Sequence, residues 1–104
     1  MAWFYLLIAG VLEIVWAAGL KQSQGFTRPG ASLATLAAAG ASFAFLAAAM
    51  RQLPLGTAYA VWTGIGTLGA FVLGIAVLGE PANGARLVAA GLILSGLVLM
   101  KLSA

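Results

Sequence analysis

The apolar residues of this chain do not fall into stripes; they come in long, nearly unbroken runs. Ala2 to Leu20 is interrupted by one charge, Glu13. Ala31 to Met50 and Thr57 to Leu78 carry none, and Leu87 to Met100 lies between Arg86 and Lys101. The intervening pieces, Lys21–Gly30, Arg51–Gly56 and Gly79–Gly84, are polar and punctuated by Pro29, Pro54 and Pro81. Crossing ~30 Å of hydrocarbon takes roughly 20 helical residues. The pattern therefore predicts an all-α integral membrane protein, one domain over 1–104, with four transmembrane helices at about 2–20, 31–50, 57–78 and 85–101. The fourth is short, and Arg86 and Lys101 extend it by snorkelling to the interfaces. Barrel strands would alternate polar and apolar in segments of about ten residues, which these runs do not. Short connections make neighbouring helices antiparallel and place both termini on one side.

Composition sharpens this picture. Hydrophobic residues make up 63% of the chain and charged residues 7%, against about a quarter in a soluble domain, so most of its surface meets lipid. There is no histidine and no cysteine, and the two acids are Glu13 and Glu80. The net charge of +3 is spread over single, separated residues. A nucleic-acid surface would cluster them, so that partner is excluded. A basic leader is missing before the first run and Glu13 sits inside it, which argues against a cleaved signal peptide. The sequence holds no metal-ligand cluster, phosphate-binding Gly-rich loop or nucleophile–base pair. No catalytic residue, metal or cofactor is expected, and neither is an ATP-driven pump or a hydrolase.

Charge distribution bears on orientation. Arg51, Lys101 and the N-terminal amine lie on one side; Lys21, Arg28 and Arg86 lie on the other. Cytoplasmic loops normally hold a clear Lys/Arg excess. This near balance is consistent with insertion in both orientations and hence with an antiparallel, dual-topology homodimer. A single preferred orientation that a simple count misses is the alternative. Small residues such as Ala37–Ala41, Gly64, Gly66, Gly69, Gly91 and Gly96 let membrane helices approach closely. Four helices enclose little volume, so a substrate path needs at least two copies.

Glu13 is the candidate centre of the chemistry. An acid within a span is costly in lipid and must face the protein interior or water. No basic residue lies inside a span to pair with it. Such a group holds a proton or a cation but not easily both, which is the basis of exchange; a permanently protonated helix–helix link is the plainer reading. Trp16 shares its helix face three residues on, and Gly10 and Ala17 leave room beside it. Trp16 would hold the carboxylate or flank a cation, or else act as an interfacial anchor. Tyr59 and Trp62 form a second pair at the same spacing, fitting a cation lining or an aromatic belt equally well. Ser42, in the middle of an apolar span, would bond Glu13 or turn back to its own backbone. Glu80 reads as a solvated loop acid.

Together, the four spans, the helix-1 acid, the loop Gly25-Phe26-Thr27-Arg28 and the run Gly56-Thr57-Ala58-Tyr59-Ala60-Val61-Trp62 resemble the small multidrug resistance family of bacterial transporters from end to end. Glu13-Ile14-Val15-Trp16-Ala17 and Trp62-Thr63-Gly64-Ile65-Gly66 resemble its guanidinium-exporter branch, since multidrug members usually carry a small residue in place of Trp16. The resemblance implies a multi-pass protein of the bacterial inner membrane working as an antiparallel homodimer. It would exchange protons for guanidinium-type cations at Glu13. It implies that Trp16 and Ser42 bond that carboxylate, that Tyr59 and Trp62 line the site, and that Phe43 stands near a portal between helices. It also implies that the fourth helix forms the dimer, with Ala89 where many members have Gly. A planar cation fits a fixed carboxylate bidentately. Two other readings compete: a multidrug exporter of quaternary ammonium and lipophilic cations, and a rotor-like proteolipid subunit, which usually has two spans with its acid in the second.

Overall fold

The computed structural model describes residues 1–103. It contains four helices: α1 (Ala2–Gln22), α2 (Pro29–Ala49), α3 (Leu55–Ala76) and α4 (Gly84–Ser103). There is no strand among the described residues. At 1.5 Å rise per residue each helix spans roughly 30 Å, and all four are long and apolar enough to cross a membrane.

The helix ends follow local chemistry and so shift from the bare apolar runs. α1 continues through Lys21 and Gln22 because nothing there breaks a helix, and Lys21 in its last turn complements the helix dipole. α2 starts at Pro29 rather than Ala31, since a proline is preset for a first helical position. Pro54, at φ −59° and ψ 151°, sets the entry of α3. Asn83 accepts a bond from the Arg86 backbone N–H at 2.9 Å and caps α4.

The α1–α2 turn is built on Ser23, which is fully buried. Its hydroxyl donates to the Leu20 carbonyl at 2.8 Å and accepts from the Phe26 N–H at 3.1 Å. Gln24, Gly25 and Phe26 all take left-handed backbone angles, with φ of 49°, 74° and 67°. Only glycine does this freely, so the Ser23 bonds hold two residues in a conformation they disfavour.

Named contacts give the directions of the helices. Ala9 meets Ser42 and Gly19 meets Thr35, so α1 and α2 are antiparallel. Gly10 meets Ile65 and Ile14 meets Gly69, so α1 and α3 run parallel. Gly64 meets Leu97 and Phe71 lies under Arg86, so α4 runs back along α3. α1 packs on α2 and α3, whereas α4 packs along α3 and reaches α1 through Lys101, which lies over the Trp3 ring. No residue of α4 is buried. Its partly covered positions, Ala90, Ile93, Leu97 and Met100, form one stripe along the α3 side. Leu92 and Leu99, away from it, are 69% and 66% exposed.

The buried core is Leu6, Ala9, Leu46, Ala49, Ala58, Val61 and Trp62. It fills the end of the molecule that holds the N-terminus and the α2–α3 turn. On α1, burial stops at Gly10. Glu13 therefore sits where the packed core ends.

Candidate functional site

Glu13 lies just past the middle of α1 and is half-buried, its carboxyl pressed against the backbone of Gly66 in α3. A Cβ at Gly66 would overlap the Glu13 Oε1 and Cδ atoms and lie 2.7 Å from its Cγ. The missing side chain of Gly66 thus makes the space the acid occupies.

Hydrogen-bond accounting separates two groups of residues. Ser42 is fully buried and donates to the Ala9 carbonyl at 2.7 Å. It accepts from Trp62 Nε1 at 3.0 Å. This chain ties α1, α2 and α3 together. Ser42 thus bonds neither Glu13 nor its own helix. The second group has no such commitments. Three buried side-chain polar atoms lack a hydrogen-bond partner among the described residues: Glu13 Oε1, Trp16 Nε1 and Thr63 Oγ1. Buried polar atoms in folded proteins are nearly always paired, so these three stand out on α1 and α3.

Aromatic residues of three helices come together. Ring centroids run from Trp16 to Phe43 at 6.3 Å, Phe43 to Trp62 at 5.8 Å and Trp62 to Tyr59 at 5.5 Å. The tilted contacts join α1, α2 and α3 in one row. Trp62 is buried, while Phe43 and Tyr59 remain 51% and 53% exposed and form its outer edge. A row of ring faces attracts positive charge. Gly10 is buried against Ile65 and serves the packing of α1 on α3 in this structure.

A cavity of about 700 Å³ is an apolar groove between α1, α3 and α4, with Lys101 in its lining, over the Trp3 ring at 4.5 Å; Glu13 is not among its lining residues. A smaller cavity of about 180 Å³ lies between α1 and α3, lined by Ala17, Ala70, Gly74, Lys21 and Glu80. It begins one helical turn beyond Glu13 and ends at the Lys21–Glu80 ion pair, at 3.4 Å. Glu80, read from sequence as simply solvated, is thus half-exposed and paired across 59 positions. Thr63 and this pairing escaped the sequence reading. Gly66 was legible only as one small residue among several. A lone threonine beside a tryptophan carries no signal of its own, and the ion pair depends on the tertiary approach of α1 to the α3–α4 turn. No group of acids, histidines or cysteines able to hold a metal occurs among the described residues.

A family model described as Small Multidrug Resistance protein matches residues 1–93. The chain belongs to the small multidrug resistance family. Its relatives include a guanidinium exporter of Citrobacter freundii, 58% identical over 99% of this chain and 98% of that protein. A guanidinium exporter of Yersinia pseudotuberculosis serotype I is 56% identical over 99% of both chains. One of Salmonella typhimurium strain LT2 is 55% identical over 100% of this chain and 99% of that protein. Membership makes the chain a multi-pass inner-membrane transporter and not an enzyme.

Proposed function

We propose that this protein exports guanidinium in exchange for protons, working as an antiparallel homodimer around Glu13. The observation that carries the reading is the uncommitted Glu13 carboxyl, seated on Gly66 beside the aromatic row. Relatives named guanidinium exporters support the choice of cation.

The chemistry follows from the groups present. A planar cation presents paired N–H edges that a carboxylate accepts bidentately. Trp16 and Trp62 offer ring faces to the same charge. Two protons or one cation satisfy the two Glu13 carboxyls of a dimer, and each occupant excludes the other. When the dimer changes which side its site faces, the inward proton gradient drives the cation out. In an antiparallel homodimer the two facing states are related by symmetry, so neither needs a separate gate.

The dimer is supported by shape and by α4. The chain is a slab of 41 × 35 × 16 Å, little thicker than one helix of about 10–12 Å. Such a slab encloses no path by itself. The face of α4 turned from α3 is apolar and carries Gly91, Ser95 and Gly96, with open space beside both glycines. Small residues of this kind favour close helix association in lipid.

The test is flux in liposomes containing only this chain. Guanidinium added outside should drive protons out past a trapped pH dye, and Glu13→Gln should silence the signal while the dimer still assembles. Proton-coupled flux that survives in Glu13→Gln would refute the mechanism. Flux with a quaternary ammonium ion but none with guanidinium would move the chain to multidrug export.

A further inference from the structure

We propose that Thr63 belongs to the cation site and selects for cations that carry N–H groups. The inference rests on the guanidinium-exchange reading above and adds a specificity element to it.

The first observation is what the other hydroxyls do. Ser32, Thr35, Thr67 and Ser95 each donate to the carbonyl four residues before them, at 2.6, 2.7, 2.7 and 2.8 Å. This local bond is how a hydroxyl inside an apolar helix is normally satisfied. Thr67 makes it to the carbonyl of Thr63 itself. Thr63 does not make the equivalent bond to Tyr59; its hydroxyl oxygen is buried without a partner. A buried hydroxyl left in that state weakens the fold. α3 therefore carries a cost that the easiest local bond would remove.

The second observation is position. Thr63 stands three residues before Gly66, the residue that seats the Glu13 carboxyl, and four after Tyr59 at the end of the aromatic row. Residues at these spacings share one side of a helix. The orphaned hydroxyl thus lies one helical turn from the residue that seats the acid.

Donor and acceptor arithmetic assigns the role. Of the three unpartnered atoms, Trp16 Nε1 only donates, so it can bond the carboxylate but not a cation's N–H. The Glu13 carboxylate accepts along one edge of a planar cation and leaves its remaining N–H groups directed elsewhere. The Thr63 oxygen is the second unspent acceptor. A guanidinium ion uses it; a quaternary ammonium ion of equal charge has no N–H to give. A site that hydrogen-bonds its ligand rejects analogues lacking the group, because its own polar atom then stays buried and unpaired. Thr63 thus separates cations by their N–H groups, where aromatic rings separate them only by charge and size.

The experiment uses the full chain in liposomes, with guanidinium as substrate and tetraethylammonium as an N–H-free competitor. Thr63→Val keeps the shape and removes the acceptor; it should raise the apparent KM for guanidinium roughly tenfold. The maximal rate should stay within about twofold, and inhibition by tetraethylammonium should be undiminished. Thr63→Ser restores the hydroxyl and should return the KM to near wild type. If Thr63→Val fails to form dimers, Thr63→Ala is measured against Thr63→Ser in its place. An unchanged guanidinium KM in the acceptor-free variant, an equal loss of both cations, or an equal loss in Thr63→Ser would overturn the proposal. A wild-type protein that does not exchange guanidinium overturns the functional reading instead, so the two failures are distinguishable.

Discussion

Gly66→Ala tests the site at its tightest point. The change adds one methyl group, yet that methyl would overlap the Glu13 Oε1 and Cδ atoms and approach Cγ at 2.7 Å. Rotating the carboxyl about its last bond does not relieve this, because Cγ lies upstream of that bond. The whole side chain must leave, or α1 and α3 must separate. Neighbouring contacts resist separation: Gly69 is filled by Ile14 and Gly10 by Ile65 on the same interface. Overpacking of this kind costs about 1–3 kcal/mol. If the cost falls on the occupied site, it converts to roughly 5- to 150-fold weaker cation affinity at 1.4 kcal/mol per decade. Gly40→Ala is the control, since a Cβ there meets nothing within 4 Å; it should leave transport unchanged and firm the helix slightly. Both variants are read by guanidinium-driven proton flux in liposomes, with dimer assembly checked in detergent. A Gly66→Ala protein with the wild-type apparent KM would show that the acid does not work from its seat on Gly66.

Three further outcomes follow from the same geometry. Ser42→Ala removes the acceptor of Trp62 Nε1 and the donor to the Ala9 carbonyl; we expect a loss of about 1–2 kcal/mol, seen as a lower thermal midpoint with a red-shifted tryptophan emission. On the exchange reading proposed above, two protons compete with one cation for the paired Glu13 carboxyls, so lowering the pH on the side where guanidinium binds should raise its apparent KM, by up to about a hundredfold per unit once both carboxyls are protonated; a pH-independent KM would separate the two ligands. Glu80→Gln breaks an ion pair whose side chains are 61% and 37% exposed, so the thermal midpoint should fall by the equivalent of less than about 1 kcal/mol, with a larger drop indicating that the pair locks the α1 end.

What could be read from sequence divides along a physical line. The four spans were legible because lipid demands long apolar helices, a constraint that acts on consecutive residues. Glu13 was legible because an acid in such a run is conspicuous by itself. Tyr59 and Trp62 were legible as a pair, but the row they form with Trp16 and Phe43 requires α1, α2 and α3 to meet at one level. Ser42 stands out in sequence only as a mid-span hydroxyl; its partners, Ala9 and Trp62, lie 33 and 20 positions away. The role of Gly66 was hidden, since a glycine that packs and a glycine that seats a carboxyl look alike until the facing atom is known. Helix ends shifted by a few residues because Pro29 and Lys21 act on the backbone locally and not through hydropathy.

On the proposed exchange reading, the separation between committed and uncommitted polar groups gives the empty site a reason to take up a proton or a cation. Ser42 and Trp62 use their hydrogen bonds on the protein, and they fix the spacing of three helices. Glu13, Trp16 and Thr63 each keep one buried polar atom unused. Had Ser42 bonded Glu13 in this state, an arriving cation would have displaced an existing bond and gained only the difference. An unpaired buried acceptor instead gains the full bond together with relief of its own desolvation. The same holds for a proton, so both occupants are rewarded and the unoccupied state is penalised. An exchanger requires that inequality: if the unoccupied dimer were comfortable, it would cycle without cargo and dissipate the gradient. By this logic, a substitution that lets Glu13 bond permanently within the protein should weaken both ligands together, whereas removing the Thr63 acceptor should weaken only guanidinium.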